Sequence, residues 1–85
     1  MDPHTSADGS RTFELFHDLI DPESAEVRRK VVDLGLKARI DFLNLAFPGA
    51  RERLRALGGS RLPALWDGAA LHEGAAAILL RISAL

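Results

Sequence analysis

Four consecutive residues, Asp21-Pro22-Glu23-Ser24, open the first helix that the sequence predicts. The carboxylate of Asp21 can accept a hydrogen bond from a peptide N–H of the first turn, and Pro22 suits the first helical position because it has no N–H to satisfy. The free N–H groups of a helix N-terminus also attract anions. The stretch therefore predicts either a capped helix or an anion site, and we favour the cap because Asp21 supplies its own negative charge.

A second group of residues has side chains that bind metals elsewhere. His17, Asp18 and Asp21 form the pattern H-D-x-x-D in one loop, and His72 could approach them across a sheet. Nitrogen and oxygen ligands of these types hold transition metals, but such sites need a fixed scaffold. We interpret these side chains as polar loop residues, and we predict no metal site.

The basic residues could form a nucleic-acid-binding face. No aromatic residues are interleaved with them, and 12 acidic residues balance 11 basic ones, which gives a formal net charge of −1. Single-stranded nucleic acid is usually bound by aromatic platforms in a positively charged groove. We therefore expect solvated helix faces and no nucleic-acid partner. The residues concerned are Arg28, Arg29, Lys30, Lys37, Arg39, Arg51, Arg53, Arg55 and Arg61.

Length and composition limit the class of protein. Eighty-five residues, of which 47% are hydrophobic, are enough for one globular domain, which we place at residues 12–85 after a flexible tail at 1–11. The absence of cysteine excludes disulfides and catalysis by a thiol of the chain itself. No apolar run is long enough to span a bilayer, and the first residues do not resemble a secretory signal. We therefore expect no membrane partner and a cytoplasmic location.

The first half of the chain predicts a strand, a helix and a second strand. Residues 12–16 alternate apolar and polar side chains, and apolar residues at helical spacing follow from Pro22 until Gly35 ends the helix. Residues 37–45 alternate again, with Ala38, Ile40 and Phe42 facing the core.

The second half predicts a helix, a hairpin and a final helix. The second helix covers 50–57 and ends at Gly58-Gly59, and the next strand covers 64–67. Asp67-Gly68 is typical of a two-residue hairpin turn, after which residues 69–73 form the fourth strand. With the last helix at 74–83, the order β-α-β-α-β-β-α predicts an α/β domain with a four-stranded mixed sheet and helices on both faces.

The last predicted helix is apolar around most of its circumference, which is typical of a helix covered on more than one side. We expect its outer face to contact a protein partner or a second copy of the chain. The candidate contact residues are Leu79, Leu80 and Leu85.

Four segments in this order resemble the thioredoxin-like superfamily, and most closely the glutaredoxin and glutathione S-transferase N-terminal domain branch. The segments are "FELF", "DPESAEVRRKVVDLGL", "SRLPAL" and "LHEGAAAILLRI". The resemblance covers residues 12–83. It implies that Asp21 and Ser24 occupy the two ends of the family's C-x-x-C motif.

The resemblance also implies a glutathione site. Leu62 would offer its backbone to the cysteinyl part of glutathione beside a cis peptide bond to Pro63, and Glu73 and Gly74 would meet the γ-glutamyl end. Two departures count against catalysis: Asp21 is not a thiol, and Gly74 stands where the family has a serine.

Two functional hypotheses follow. The first is a stand-alone, non-catalytic binding or interaction module that requires no cofactor and binds glutathione weakly at most. The alternative is a minimal glutathione-dependent transferase or reductase in which bound glutathione supplies the thiol, steered by Ser24 or a backbone N–H. A third reading, that the chain is one piece of a larger protein, would also account for the apolar last helix.

Overall fold

The computed structural model describes residues 13–85, and the tail predicted at 1–11, together with Thr12, lies outside them. Each helix and strand that the sequence predicts has a counterpart in this range. The elements are β1 (Phe13–His17), α1 (Pro22–Asp33), a short 3-10 helix (Lys37–Arg39), β2 (Ile40–Asn44), α2 (Pro48–Ala56), β3 (Ala64–Trp66), β4 (Leu71–Glu73) and α3 (Ala75–Ile82).

The four strands form one mixed sheet in the order β2-β1-β3-β4. β1 and β2 are parallel, in a register that pairs Phe13 with Ile40. β3 runs antiparallel to both of its neighbours, β1 and β4. The predicted four-stranded mixed sheet is confirmed.

Two apolar clusters cover the two faces of the sheet, because successive side chains of a strand point to opposite sides. On one face, Phe13 and Leu15 of β1 pack with α1 and α3. On the other face, Phe16 packs with Ala50 and Leu54 of α2. Helices on both faces are therefore confirmed, with α1 and α3 on one side and α2 on the other.

The predicted strand at 37–45 is wrong over its first three residues. Gly35 does end the first helix, with a positive φ of 68°, but the chain continues to turn and forms the 3-10 helix before β2. Leu36 therefore becomes the buried residue, whereas Ala38, which we expected to face the core, is exposed. The strand begins only at Ile40.

The hairpin between β3 and β4 is present, but its connection has four residues, 67–70, instead of two. The cause is the side chain of Asp67, whose Oδ1 accepts hydrogen bonds from the N–H groups of Ala69 (2.8 Å) and Ala70 (2.7 Å). These bonds keep the two alanines in the turn, so β4 begins at Leu71.

None of the helices in residues 13–85 combines the length and the apolar character that crossing a membrane requires.

Candidate functional site

The N-terminus of α1 is capped by Asp21, as the sequence predicted. Its Oδ2 accepts hydrogen bonds from the N–H and the hydroxyl of Ser24, both at 2.8 Å. The Ser24 Oγ also accepts from the N–H of Asp18 at 3.2 Å, and Ser24 is fully buried. The two residues expected at the ends of the family's C-x-x-C motif therefore bind each other, and the buried hydroxyl has no open path to a ligand.

A buried histidine lies behind this cap. His17 is 5% exposed, its Nδ1 is 3.1 Å from Nη1 of Arg28, and its ring meets the Phe42 ring edge-on. Burial lowers the pKa of His17, and the neighbouring guanidinium lowers it further. His17 is therefore held in the neutral form by its surroundings.

The residues of the H-D-x-x-D pattern do not gather around a common point with His72. The Nε2 of His72 is 2.8 Å from Oδ2 of Asp67, in the hairpin between β3 and β4, whereas His17 contacts Arg28 of α1. Within residues 13–85 there is no group of three or more histidine or acidic side chains arranged to hold a metal ion.

The segment before Pro63 is held by Glu73. Its Oε2 accepts hydrogen bonds from the N–H groups of Ser60 (3.0 Å) and Arg61 (2.9 Å). These two bonds are the main reason why the pKa of Glu73 lies below its ordinary value. The Leu62–Pro63 peptide bond is cis, as the resemblance implied.

Another carboxylate of the chain accepts a hydrogen bond from the N-terminus of α3. Oε1 of Glu23, in the first turn of α1, accepts a hydrogen bond from the N–H of Ala75 at 3.2 Å. Gly74 precedes this helix with a φ of 91°, and a Cβ on it would lie 3.2 Å from Cζ of Arg61. Where the resemblance places the γ-glutamyl end, the N–H of Ala75 and Oε2 of Glu73 are thus already engaged by other groups of the chain.

A groove opens beside Leu62, near the ends of β1 and β2. It has a volume of about 340 Å³, and its lining includes Asp18, Arg51, Arg55, Ser60 and Leu62. No hydrogen bond from another described residue engages the N–H or the carbonyl of Leu62. The groove is therefore lined by two arginines and by a residue whose peptide has no hydrogen-bond partner within residues 13–85.

Leu62 was predicted from the sequence as a binding residue, whereas Arg51 and Arg55 were expected to lie on a solvated helix face. Arg51 and Arg55 are four positions apart and so lie on one face of α2, while Arg53 points elsewhere and forms two hydrogen bonds with the Glu14 carboxylate, at 3.0 and 2.8 Å. The i, i+4 spacing is a signal that could have separated Arg51 and Arg55 from Arg53.

The predicted partner face on α3 is only partly on the surface. Leu79 is partly buried against the core, Leu80 is 77% exposed and Leu85 is 45% exposed. Two further exposed apolar side chains, Leu19 and Ile20, lie in the loop between β1 and α1. No role for these two apolar side chains was predicted from the sequence.

A second polar cluster, also missed, lies in the β3–β4 hairpin. Oδ2 of Asp67 contacts Nε2 of His72 at 2.8 Å and Nε of Arg81 at 3.0 Å, while its Oδ1 holds the turn. These hydrogen bonds, led by the one to His72, hold the pKa of Asp67 well below its usual range. Because Arg81 belongs to α3, the cluster fastens the hairpin to the last helix.

We expect Glu73→Ala to loosen the segment before Pro63. The variant leaves the N–H groups of Ser60 and Arg61 without their acceptor, and a lost hydrogen bond of about 1 kcal/mol corresponds to roughly fivefold faster amide exchange. Native-state hydrogen exchange at these two amides measures the effect, with Glu52→Ala on the exposed side of α2 as the matched control. Unchanged exchange in Glu73→Ala would contradict the assigned role.

The stabilisation that the Glu73 carboxylate provides depends on pH. Because the pKa of Glu73 in the folded protein lies below its ordinary 4.5, its contribution to stability is present above that value and is lost as the pH falls. The difference between wild type and Glu73→Ala should therefore shrink on acidification below pH 4.5.

Comparison with known proteins returned no match: no protein-family model, no curated protein and no solved structure matches the chain significantly.

Proposed function

We propose that this chain is a thioredoxin-like domain of the glutaredoxin and glutathione S-transferase N-terminal type that acts as a non-catalytic binding module. The parallel β1-α1-β2 unit, the following hairpin and the closing helix are the arrangement that the resemblance implies. Pro63 directly before β3 supports the same assignment.

One observation carries the non-catalytic part of the proposal. At the N-terminus of α1, where the family places its reactive thiol, the carboxylate of Asp21 takes both the N–H and the hydroxyl of Ser24. A thiolate brought to this point would meet a negative charge within a few ångströms, which costs about 1–4 kcal/mol depending on the local dielectric. The two donors of Ser24 that would stabilise a sulfur anion are already used.

The groove beside Leu62 supports a binding role. An unpaired peptide can form main-chain hydrogen bonds with an extended ligand, and the guanidinium groups of Arg51 and Arg55 suit a carboxylate. The ligand class that fits is a short, peptide-like molecule with an acidic group. Glutathione belongs to this class, but we expect weak binding because the N–H of Ala75 and Oε2 of Glu73, which would face its γ-glutamyl end, already form hydrogen bonds within the chain.

We also propose contact with a protein partner or a second copy of the chain through the exposed part of α3 and the residues that follow it. Leu80 and Leu85 carry this role, since Leu79 packs partly into the core.

Only one observation favours the alternative of a minimal glutathione-dependent enzyme: the N–H and the carbonyl of Leu62 have no hydrogen-bond partner among the described residues. In that case bound glutathione supplies the sulfur, and a backbone N–H has to steer it because the Ser24 hydroxyl is buried.

A glutathione titration followed by amide NMR tests the proposal. We expect small shifts that do not saturate at millimolar concentration and that lie along the groove, at 51–55 and 59–62, with no glutathione-dependent reduction of a disulfide substrate. Arg55→Ala should weaken these shifts, while Arg29→Ala, on the exposed face of α1 and outside the groove, should leave them unchanged.

A different pattern of shifts would contradict the binding module. Saturable shifts clustered at 21–24, 61–64 and 72–75, together with disulfide reduction that requires glutathione, would replace the binding module with the enzyme.

A further inference from the structure

The end of β1 is joined to α1 by one guanidinium group. Nη1 of Arg28 is 3.1 Å from Nδ1 of His17 and donates to the carbonyl of Asp18 at 3.2 Å. A guanidinium has only donors, so Nδ1 of His17 must accept, and the imidazole is neutral with its proton on Nε2. The contact between Arg28 and His17 therefore exists in one protonation state of the histidine only.

Within residues 13–85, two charged groups act on this imidazole. From α1 it meets Arg28, from the loop that follows β1 it meets Asp18, and from β2 it meets the uncharged ring of Phe42 at 5.8 Å between centroids. Burial lowers the pKa of His17 most, Arg28 lowers it further, and Asp18 raises it. The nearest charge is thus a cation in direct contact.

The loop from Asp18 to Asp21 depends on this contact. Arg28 donates a hydrogen bond to the carbonyl of Asp18. The N–H of Asp18 donates to Oγ of Ser24, and the Ser24 hydroxyl donates to the capping carboxylate of Asp21. Asp18 also lines the groove beside Leu62. A displacement of Arg28 would therefore reach both the cap of α1 and one wall of the groove.

We propose that His17 and Arg28 form a pH-sensitive latch that closes the loop 18–21 while the imidazole is neutral and releases it when the imidazole is protonated. Protonation places a hydrogen on Nδ1, which removes the acceptor, and it brings two cations to about 3.1 Å. Arg28 then leaves His17 and the carbonyl of Asp18, and the loop opens at the Asp18 side of the groove.

The sign of the pKa shift of His17 determines whether the latch opens at low or at high pH. Since the closed state holds the pKa of His17 below its ordinary 6.5, proton binding favours an open state in which the imidazole regains that value. The open population therefore rises as the pH falls below 6.5, and the loop stays closed above it.

The test is an NMR pH titration of the full chain. The amides of 18–21 and of Ser24 should shift with the same midpoint as the His17 imidazole, and their exchange rates, corrected for intrinsic pH dependence, should rise about tenfold across that midpoint. His17→Gln retains a side-chain acceptor but cannot titrate in this range, so it should remove both effects.

A second pair of variants separates the latch from general acid sensitivity. In Arg28→Met the imidazole midpoint should move up, and the loop amides should no longer follow it, while Arg29→Met, with the neighbouring exposed arginine changed, should behave as wild type. Loop amides that remain flat through the imidazole midpoint would overturn the proposal. A titration of the loop that persists in His17→Gln would overturn it as well.

Discussion

Replacing Asp67 by alanine lowers the free energy of unfolding by about 2–3 kcal/mol, which for a chain of this size corresponds to a fall in melting temperature of roughly 10–20 °C. The carboxylate accepts from Ala69, Ala70, His72 and Arg81, and its side chain is only 10% exposed. Its loss opens the β3–β4 turn and also leaves a half-buried guanidinium of α3 without its partner. Thermal or urea unfolding measures the change.

The pH dependence identifies the source of this effect. The pKa of Asp67 lies well below 3.8 in the folded protein, so its stabilisation is present above that value and fades as the pH falls. Wild type and Asp67→Ala should therefore converge in strong acid. Asp33→Ala, at the exposed end of α1, is the matched control and should change stability little at any pH. An Asp67→Ala variant as stable as this control would show that the cluster has no structural role.

Asp21→Cys should produce a reactive thiol. The sulfur would replace the carboxylate at the N-terminus of α1, where the N–H and hydroxyl of Ser24 can donate to it and the helix dipole favours its negative form. The pKa of this thiol should therefore lie below that of an ordinary cysteine. At neutral pH we expect alkylation by iodoacetamide about tenfold faster than at an ordinary exposed thiol.

Since the chain has no other cysteine, the reaction reports one site. Asp33→Cys is the control, because it places the same group at the opposite end of the same helix, where the dipole disfavours a thiolate. Equal alkylation rates in the two variants would contradict the view that the N-terminus of α1 can stabilise an anion.

The sheet could be predicted because local patterns agree with the tertiary structure. The alternation of "FELF" places Phe13 and Phe16 on opposite faces, and both are buried there. Two predictions were wrong, the strand at 37–39 and the two-residue hairpin turn, because in both places the chain continues to turn beyond the residues that usually mark the end of a turn. After Gly35 the chain adds a 3-10 turn, and after Asp67 a side chain replaces the expected two-residue turn by a longer one.

The candidate site was predictable only where its contacts are local. The cap formed by Asp21 spans three positions and is visible in the sequence, whereas the contact between His17 and Arg28 spans eleven. The hydrogen bond between Glu23 and Ala75 spans 52 positions and appears only after α1 and α3 have packed on the same face. Contacts of this kind depend on the assembled fold, so no spacing rule reveals them.

A side chain at position 74 would place two demands on the structure. Any side chain at position 74 would meet the guanidinium of Arg61 and would also have to adopt a positive φ. Because the guanidinium is the flexible end of the Arg61 side chain and can move by a few tenths of an ångström, we expect the backbone conformation to be the larger obstacle to Gly74→Ser.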